Sequence, residues 1–191
     1  MEGVKTRLPA TIAKVLLAAA IVLPHGAQAG GEENGRAVHS VGWFRRHFGR
    51  LTWEEIVNCS ESPRDVAAFV GRQVRYEQDE GDEWSNGRTV MERGYGDCED
   101  YAAAVVELCR EKGFDARFLV FFDAEHQAGH AVAAGEWRGR MWVSSNGAFA
   151  QVRSFEEIRR VVARELGVRP SAVVQIPESA VRAMRVAEKT R

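Results

Sequence analysis

The chain has 191 residues, with 26 Lys and Arg against 27 Asp and Glu and a formal charge of −1. A balance this even gives no basis for nucleic acid or an anionic membrane surface as partner. The length is that of one domain.

Residues 1–29 read as a secretory leader. Lys5, Arg7 and Lys14 are basic, Val15–Leu23 is an apolar run, and Ala27-Gln28-Ala29 has the form of a cleavage site. The run is too short and wrongly flanked to be a membrane span. Cleavage after Ala29 places the mature chain in the periplasm or outside the cell. Residues 30–50 are glycine-rich and polar and are expected as a flexible or loosely packed arm. The folded domain is expected at 51–170 and a C-terminal extension at 171–191.

Thr52-Trp53-Glu54-Glu55 is a capping box opening a short helix through Val57. Ser62-Pro63 supplies an N-cap and a proline at the first helical position. Val66, Phe69, Val70 and Val74 then recur at helical spacing to about Arg75. Tyr76 leaves that helix. The acidic run Glu77, Asp79, Glu80, Asp82, Glu83 follows as a loop, closed by Trp84 and the turn pair Asn86-Gly87.

The stretch Gly94-Tyr95-Gly96-Asp97-Cys98-Glu99-Asp100-Tyr101-Ala102 organises the rest. It reads as a glycine turn delivering a cysteine to the first turn of a helix. Asp97 is the N-cap, Asp100 stands where a capping box wants an acid, and Gly113 is the stop. A helix N-terminus favours thiolate, whereas the neighbouring acids oppose it, so a cationic partner is required. Cys98 and Cys109 stand eleven positions apart on that helix, roughly 16 Å at 1.5 Å per residue. A disulfide needs Cα atoms within about 7 Å. Any bridge is therefore Cys59–Cys109, leaving Cys98 a free thiol.

Beyond Gly113 the pattern changes. Phe118–Phe122 is a continuous apolar run consistent with a buried strand, and His130–Ala134 and Met141–Ser145 read as a hairpin. A two-residue loop Arg138-Gly139 would put Arg138 at positive φ, which a bulky residue resists. A three-residue loop Trp137-Arg138-Gly139 is expected instead. It sets Glu136 opposite Arg140 and His130 opposite Asn146. His130 then takes the thiol proton and Asn146 orients the ring. His126 and His130 are four apart, but Gly129 and the strand pattern argue against a metal site. Ser154 and Glu157 form a further capping box. Ile158, Val161, Val162 and Leu166 line the helix face, Gly167 stops it, and Val173–Ile176 is a short extended piece before a last helix from about Ser179. Helices first and strands after indicate α+β, with a small antiparallel sheet packed on the cysteine helix.

Gly96-Asp97-Cys98-Glu99-Asp100-Tyr101-Ala102, Gly129-His130-Ala131-Val132 and Trp142-Val143-Ser144-Ser145-Asn146 together resemble the transglutaminase-like superfamily of bacterial cysteine peptidases, over roughly residues 60–150. The resemblance implies a papain-like fold with a Cys98, His130, Asn146 triad. Asn146 stands where many members have aspartate, and an alignment shifted by one puts Ser145 there. The Cys98 backbone N–H is the first oxyanion donor, and Trp84 is a candidate for the second. Asp97-Cys98-Glu99 resembles the triplet that exported, adhesin-releasing members associate with calcium, so Asp97 and Glu99 are candidate ligands, with Asp79 or Asp82 joining them. No other cofactor is implied. The resulting expectation is an exported, monomeric thiol hydrolase acting on a protein or peptide amide. Acyl transfer to an amine and a non-catalytic binding module on the same fold stay open.

Overall fold

The structure, a computed structural model, describes residues 42, 45, 49–78, 85–123, 128–177, 179 and 180. The expected leader, most of the arm, Asp79, Asp82, Trp84, His126 and the chain beyond residue 180 lie outside the described residues.

Thr52 caps α1 (Trp53–Cys59) as the capping box requires: its side chain accepts from Glu55 N, and Glu55 Oε2 accepts from Thr52 N at 2.8 Å. The helix runs two residues past the expected end at Val57. Ser62 and Pro63 open α2 (Pro63–Gln73), whose Val66, Phe69 and Val70 are buried. Arg75–Tyr76 then forms β1, paired in parallel with β2 (Tyr95–Gly96). The Asn86-Gly87 pair is not a turn. Asn86 Oδ1 accepts from Thr89 N at 2.9 Å and caps α3 (Gly87–Arg93), which Gly94 ends at φ 78°. Seven residues are too few for periodicity to reveal, and tertiary contacts hold this helix. Val90 and Met91 are buried, and a Cβ on Gly87 would lie 2.7 Å from Ala104 Cα. Arg50 binds the last-turn carbonyls of Met91 (2.6 Å) and Glu92 (2.9 Å), as a cation at a helix C-terminus should.

The cysteine helix, α4 (Cys98–Lys112), is central. Nine of its residues are buried, and Gly113 stops it at φ 88°. It lies on a five-stranded antiparallel sheet of β3 (Arg117–Asp123), β4 (Ala128–Trp137), β5 (Arg140–Ser145), β6 (Ala148–Val152) and β7 (Val173–Ile176), in the order β6-β5-β4-β3-β7. The α+β expectation therefore holds. Strand alternation divides the core. Ala133 and Trp142 pack with the buried faces of α1, α2 and α4, whereas Phe121, Val132, Ala134 and Val143 pack with Ile158 and Val162 of α5 (Phe155–Glu165). Two expectations about the C-terminal part are corrected. Val173–Ile176 is an edge strand hydrogen-bonded to β3, so the domain continues past residue 170. Ser154 makes no side-chain cap; Glu157 accepts instead from Arg153 N at 2.9 Å.

The β4–β5 register also differs from expectation, by one residue. Trp137 pairs with Arg140 and Glu136 with Met141, so the loop is Arg138-Gly139, at φ 52° and 71°. Holding Arg138 left-handed costs about 1 kcal/mol. The observed register sets Trp142 opposite Gly135, where a Cβ would come within 3.0 Å of Trp142 Cζ2 and 2.1 Å of Asp115 O. Burying a large aromatic side chain is worth roughly 2–3 kcal/mol, so the tryptophan sets the register and the arginine yields. The Arg138 guanidinium stacks 4.3 Å over the Trp137 ring, offsetting part of the strain.

Candidate active site

The turn before α4 is held from beneath. Gly96 has no room for a side chain: a Cβ would lie 2.3 Å from Asp100 Oδ2. That carboxylate is 2% exposed, accepts from Asp97 N at 3.3 Å and pairs with Arg93. Arg93 also donates to Tyr95 O (2.7 Å) and Ser85 Oγ (3.0 Å). Burial raises the Asp100 carboxyl above its ordinary range, and the Arg93 charge offsets part of that rise. Asp97 Oδ1 accepts from Glu99 N at 3.1 Å, completing the expected capping box.

Cys98 is the first residue of α4, half-buried, and packs with Ala102, Val120 and Ala131 on the α4 face of the sheet. Burial pushes its thiol up to about 12; hydrogen bonds from the Ala131 and Cys98 backbones act against that, and the charges of Asp97 and Glu99 add to it. A helix N-terminus contributes at most about 2 kcal/mol, near 1.5 pH units, so burial wins. Cys98 rests as a thiol.

His130 is buried, 7% exposed, and its Nε2 lies 2.8 Å from Ser145 Oγ. Alternation sets its side chain in phase with Val132 and Ala134, toward α5, while Cys98 meets the strand at the backbone of the next residue, Ala131. Burial lowers the imidazole below 6.5, and the charges of Glu165 and Asp97 act the other way.

Asn146 does not stand behind the ring. The Ala133–Ser144 pairing sets Ser145 beside Val132, on the face that carries His130, so Ser145 reaches the ring diagonally, and Asn146 is the first residue of a two-residue turn, at φ 47° before Gly147 at 79°. Its Oδ1 is buried without a hydrogen-bond partner among the described residues. The reason lies in the turn. Asn-Gly is the pair that a tight hairpin between Ser145 and Ala148 demands, and a residue in that turn leaves the strand face. The pairing left open to a disulfide, Cys59–Cys109, is not formed. All three cysteines are thiols, with Cys109 fully buried and Cys59 Sγ turned to Ile56 O at 3.9 Å.

The acids around Cys98 do not make a cation site by themselves. Asp97 and Asp100 serve as caps, and among the described residues no three His, Cys, Asp or Glu side chains gather to hold a metal. Asp79 and Asp82, the acids expected to join Asp97 and Glu99 around calcium, lie outside the described residues.

Two further residues stand close by. Tyr76, 52% exposed, pairs with Gly96 across β1–β2; burial and the charges of Cys98, Asp97 and Glu99 raise its phenol. Arg93, which holds Asp100, had no signal in the sequence beyond its place before the glycine turn.

The family model described as "Transglutaminase-like superfamily" matches residues 53–147. No curated protein matches the chain. Among solved structures, LapG of Legionella pneumophila is similar at 17% identity, covering 58% of this chain and 70% of that one, with a TM-score of 0.44. Its calcium-bound form is 18% identical, with 59% and 70% covered and a TM-score of 0.44. A Cytophaga hutchinsonii protein provisionally described as a cysteine protease is 13% identical, with 53% and 39% covered and a TM-score of 0.42.

Proposed function

Residues 53–147 belong to the transglutaminase-like superfamily, and from that premise we propose that the chain is an exported thiol hydrolase cleaving an amide bond in a protein or peptide. The observation that carries this reading is the placement of Cys98. It opens a long helix, and its sulfur meets the β4 backbone at Ala131, the residue after a buried histidine. Cys98 Sγ attacks the amide carbonyl carbon as its proton passes to His130, whose ring turns from the α5 face to meet it. The C–N bond breaks, the proton goes to the leaving amine, and a thioester stays on Cys98. Water then attacks the thioester carbon and gives His130 a proton, which returns to sulfur as the carboxylate leaves. The Cys98 backbone N–H, which the Asp97 cap leaves to one side, supports the oxyanion. Calcium supplies no step. Export rests on the leader-like residues 1–29.

The test is labelling of the mature protein with a peptide-derived acyl electrophile, with Cys98→Ala as control. Labelling at Cys98 that is faster than that of an unactivated thiol, followed by release in water, is expected. Transfer of the acyl group to an added amine in preference to water would point to cross-linking. No labelling of Cys98 between pH 5 and 8 would favour a binding module.

A further inference from the structure

We propose that Ser145 is the positioning residue of this site, an uncharged hydroxyl that fixes the His130 ring through Nε2 where an acid or amide side chain is otherwise expected. The inference rests on the reading of Cys98 and His130 given above.

Three observations carry it. The Nε2–Oγ separation is 2.8 Å, with Ser145 3% and His130 7% exposed, so neither group exchanges this partner for bulk water. Ser145 is itself held in place. It pairs with Ala148 across β5–β6, and the turn that follows it is pressed onto α2, where a Cβ on Gly147 would lie 2.4 Å from Gly71 Cα. Finally, the residue the hairpin brings to the ring is decided by the Gly135–Trp142 pairing, which leaves Asn146 in the turn.

A hydroxyl and a carboxylate do different things behind an imidazole. A carboxylate only accepts, so it fixes the Nε2–H tautomer, and its charge stabilises the imidazolium. A serine both donates and accepts and brings no charge; its hydrogen bond is worth about 1 kcal/mol, against about 1.5–3 for a charged one. The charges that reach His130 come from elsewhere: Glu165 on α5 and Asp97 before α4. Asp123, buried on β3 two places from the Phe121 that pairs with His130, shares its face. Cys98 stands on the other side. Burial outweighs the two acids, so the ring rests neutral, and the thiol across the sheet rests protonated. The proton then leaves sulfur during attack on the substrate rather than beforehand.

The experiment follows the His130 ring by NMR titration in the full mature chain, for the wild type and for Ser145→Ala, Ser145→Thr and Ser145→Asp, with Cys98 alkylation by iodoacetamide at pH 7 alongside. In the wild type His130 titrates below 6.5. Ser145→Thr keeps the hydroxyl and is expected to preserve both the titration and the ring shifts. Ser145→Ala should change the shifts and the tautomer balance. Ser145→Asp should raise the His130 midpoint by at least about one unit, which is about tenfold in the protonation equilibrium, and speed alkylation by a similar factor. Because Ser145→Asp buries a charge and can fail to fold, the Thr and Ala pair decides alone where it does. Identical His130 shifts and titration in Ser145→Ala and the wild type overturn the proposal. The NMR readout needs no turnover, so it judges the positioning role even if acyl labelling has shown Cys98 to be inert.

Discussion

Gly71 of α2 and Gly147 of the β5–β6 turn touch backbone to backbone, and each supplies the room the other needs. A Cβ on Gly147 would lie 2.4 Å from Gly71 Cα, whereas one on Gly71 would lie 3.3 Å from Gly147 Cα. The contact holds the turn that follows Ser145, and its asymmetry gives a graded expectation. Gly147→Ala adds left-handed strain of about 1 kcal/mol to a backbone clash of about 1–3 kcal/mol. Gly71→Ala gains close to 1 kcal/mol of helix propensity against a milder crowding, so its net effect is small. Urea midpoints at constant m-value measure both. Equal losses for the two variants would mean that the turn does not sit on α2 as described.

The Arg93–Asp100 pair supports the turn before Cys98 from beneath, and breaking it from the arginine side leaves a buried carboxylate. Arg93→Met is expected to destabilise the protein by about 3 kcal/mol at pH 7. Asp100 already titrates above its ordinary 3.8 because of burial, so without Arg93 the folded state holds its proton more tightly than the unfolded chain. That contribution is fully present below 3.8 and lost as pH rises through the folded value. The deficit of the variant should therefore shrink on acidification. Denaturation at pH 4 and pH 7 reads it, and a deficit independent of pH would contradict the assignment.

Two buried thiols make the fold sensitive to alkali. Cys98 and Cys109 are both pushed from 9.0 to about 12, chiefly by burial. Between those values the folded chain holds protons that the unfolded chain releases. Stability is thus full below 9.0 and falls as pH rises toward about 12. His130 acts at the other end: its folded value is below 6.5, so stability falls as pH drops from 6.5 toward that value. Thermal melts across pH 5 to 10 should show a maximum between these limits. Cys109→Ala should flatten the alkaline fall, and an unchanged slope would show that Cys109 does not titrate as described.

Asp97 and Asp100 are engaged as caps, so chelator-treated protein is expected to give no heat with millimolar calcium and no rise in Tm. A heat of binding that Glu99→Gln abolishes would mean that the acids of the 77–83 loop complete a site with it.

Much of this was legible in the sequence where one residue type had one physical use. Thr52 with Glu55 and Asp97 with Asp100 read as capping boxes and are capping boxes. The central cysteine helix stops at Gly113 as expected. What misled was the weight given to a local penalty. Arg138 at positive φ is a cost visible in one strand alone, and a loop longer by one residue would turn Asn146 rather than Ser145 to the face of the histidine. The deciding contact, Trp142 against Gly135, joins residues on two strands and becomes visible only when both strands are placed. The short α3 was hidden for a similar reason, since its stability comes from Arg50 and Ala104, far away in the chain.

The order in which the strands are made differs from the order in which they lie. β3 to β6 follow one another, and β4, β5 and β6 form by tight hairpins, as soon as their residues exist. β7 reaches β3 from about fifty positions further on, after α5, so the β3 edge closes last. Until it does, an aromatic strand carrying Phe118, Phe121 and Phe122 has one bare edge, the kind of surface that recruits other chains. The segment Val173–Ile176, whose last residue joins the cluster in which Cys98 packs, thus also bears on whether the newly made chain stays single.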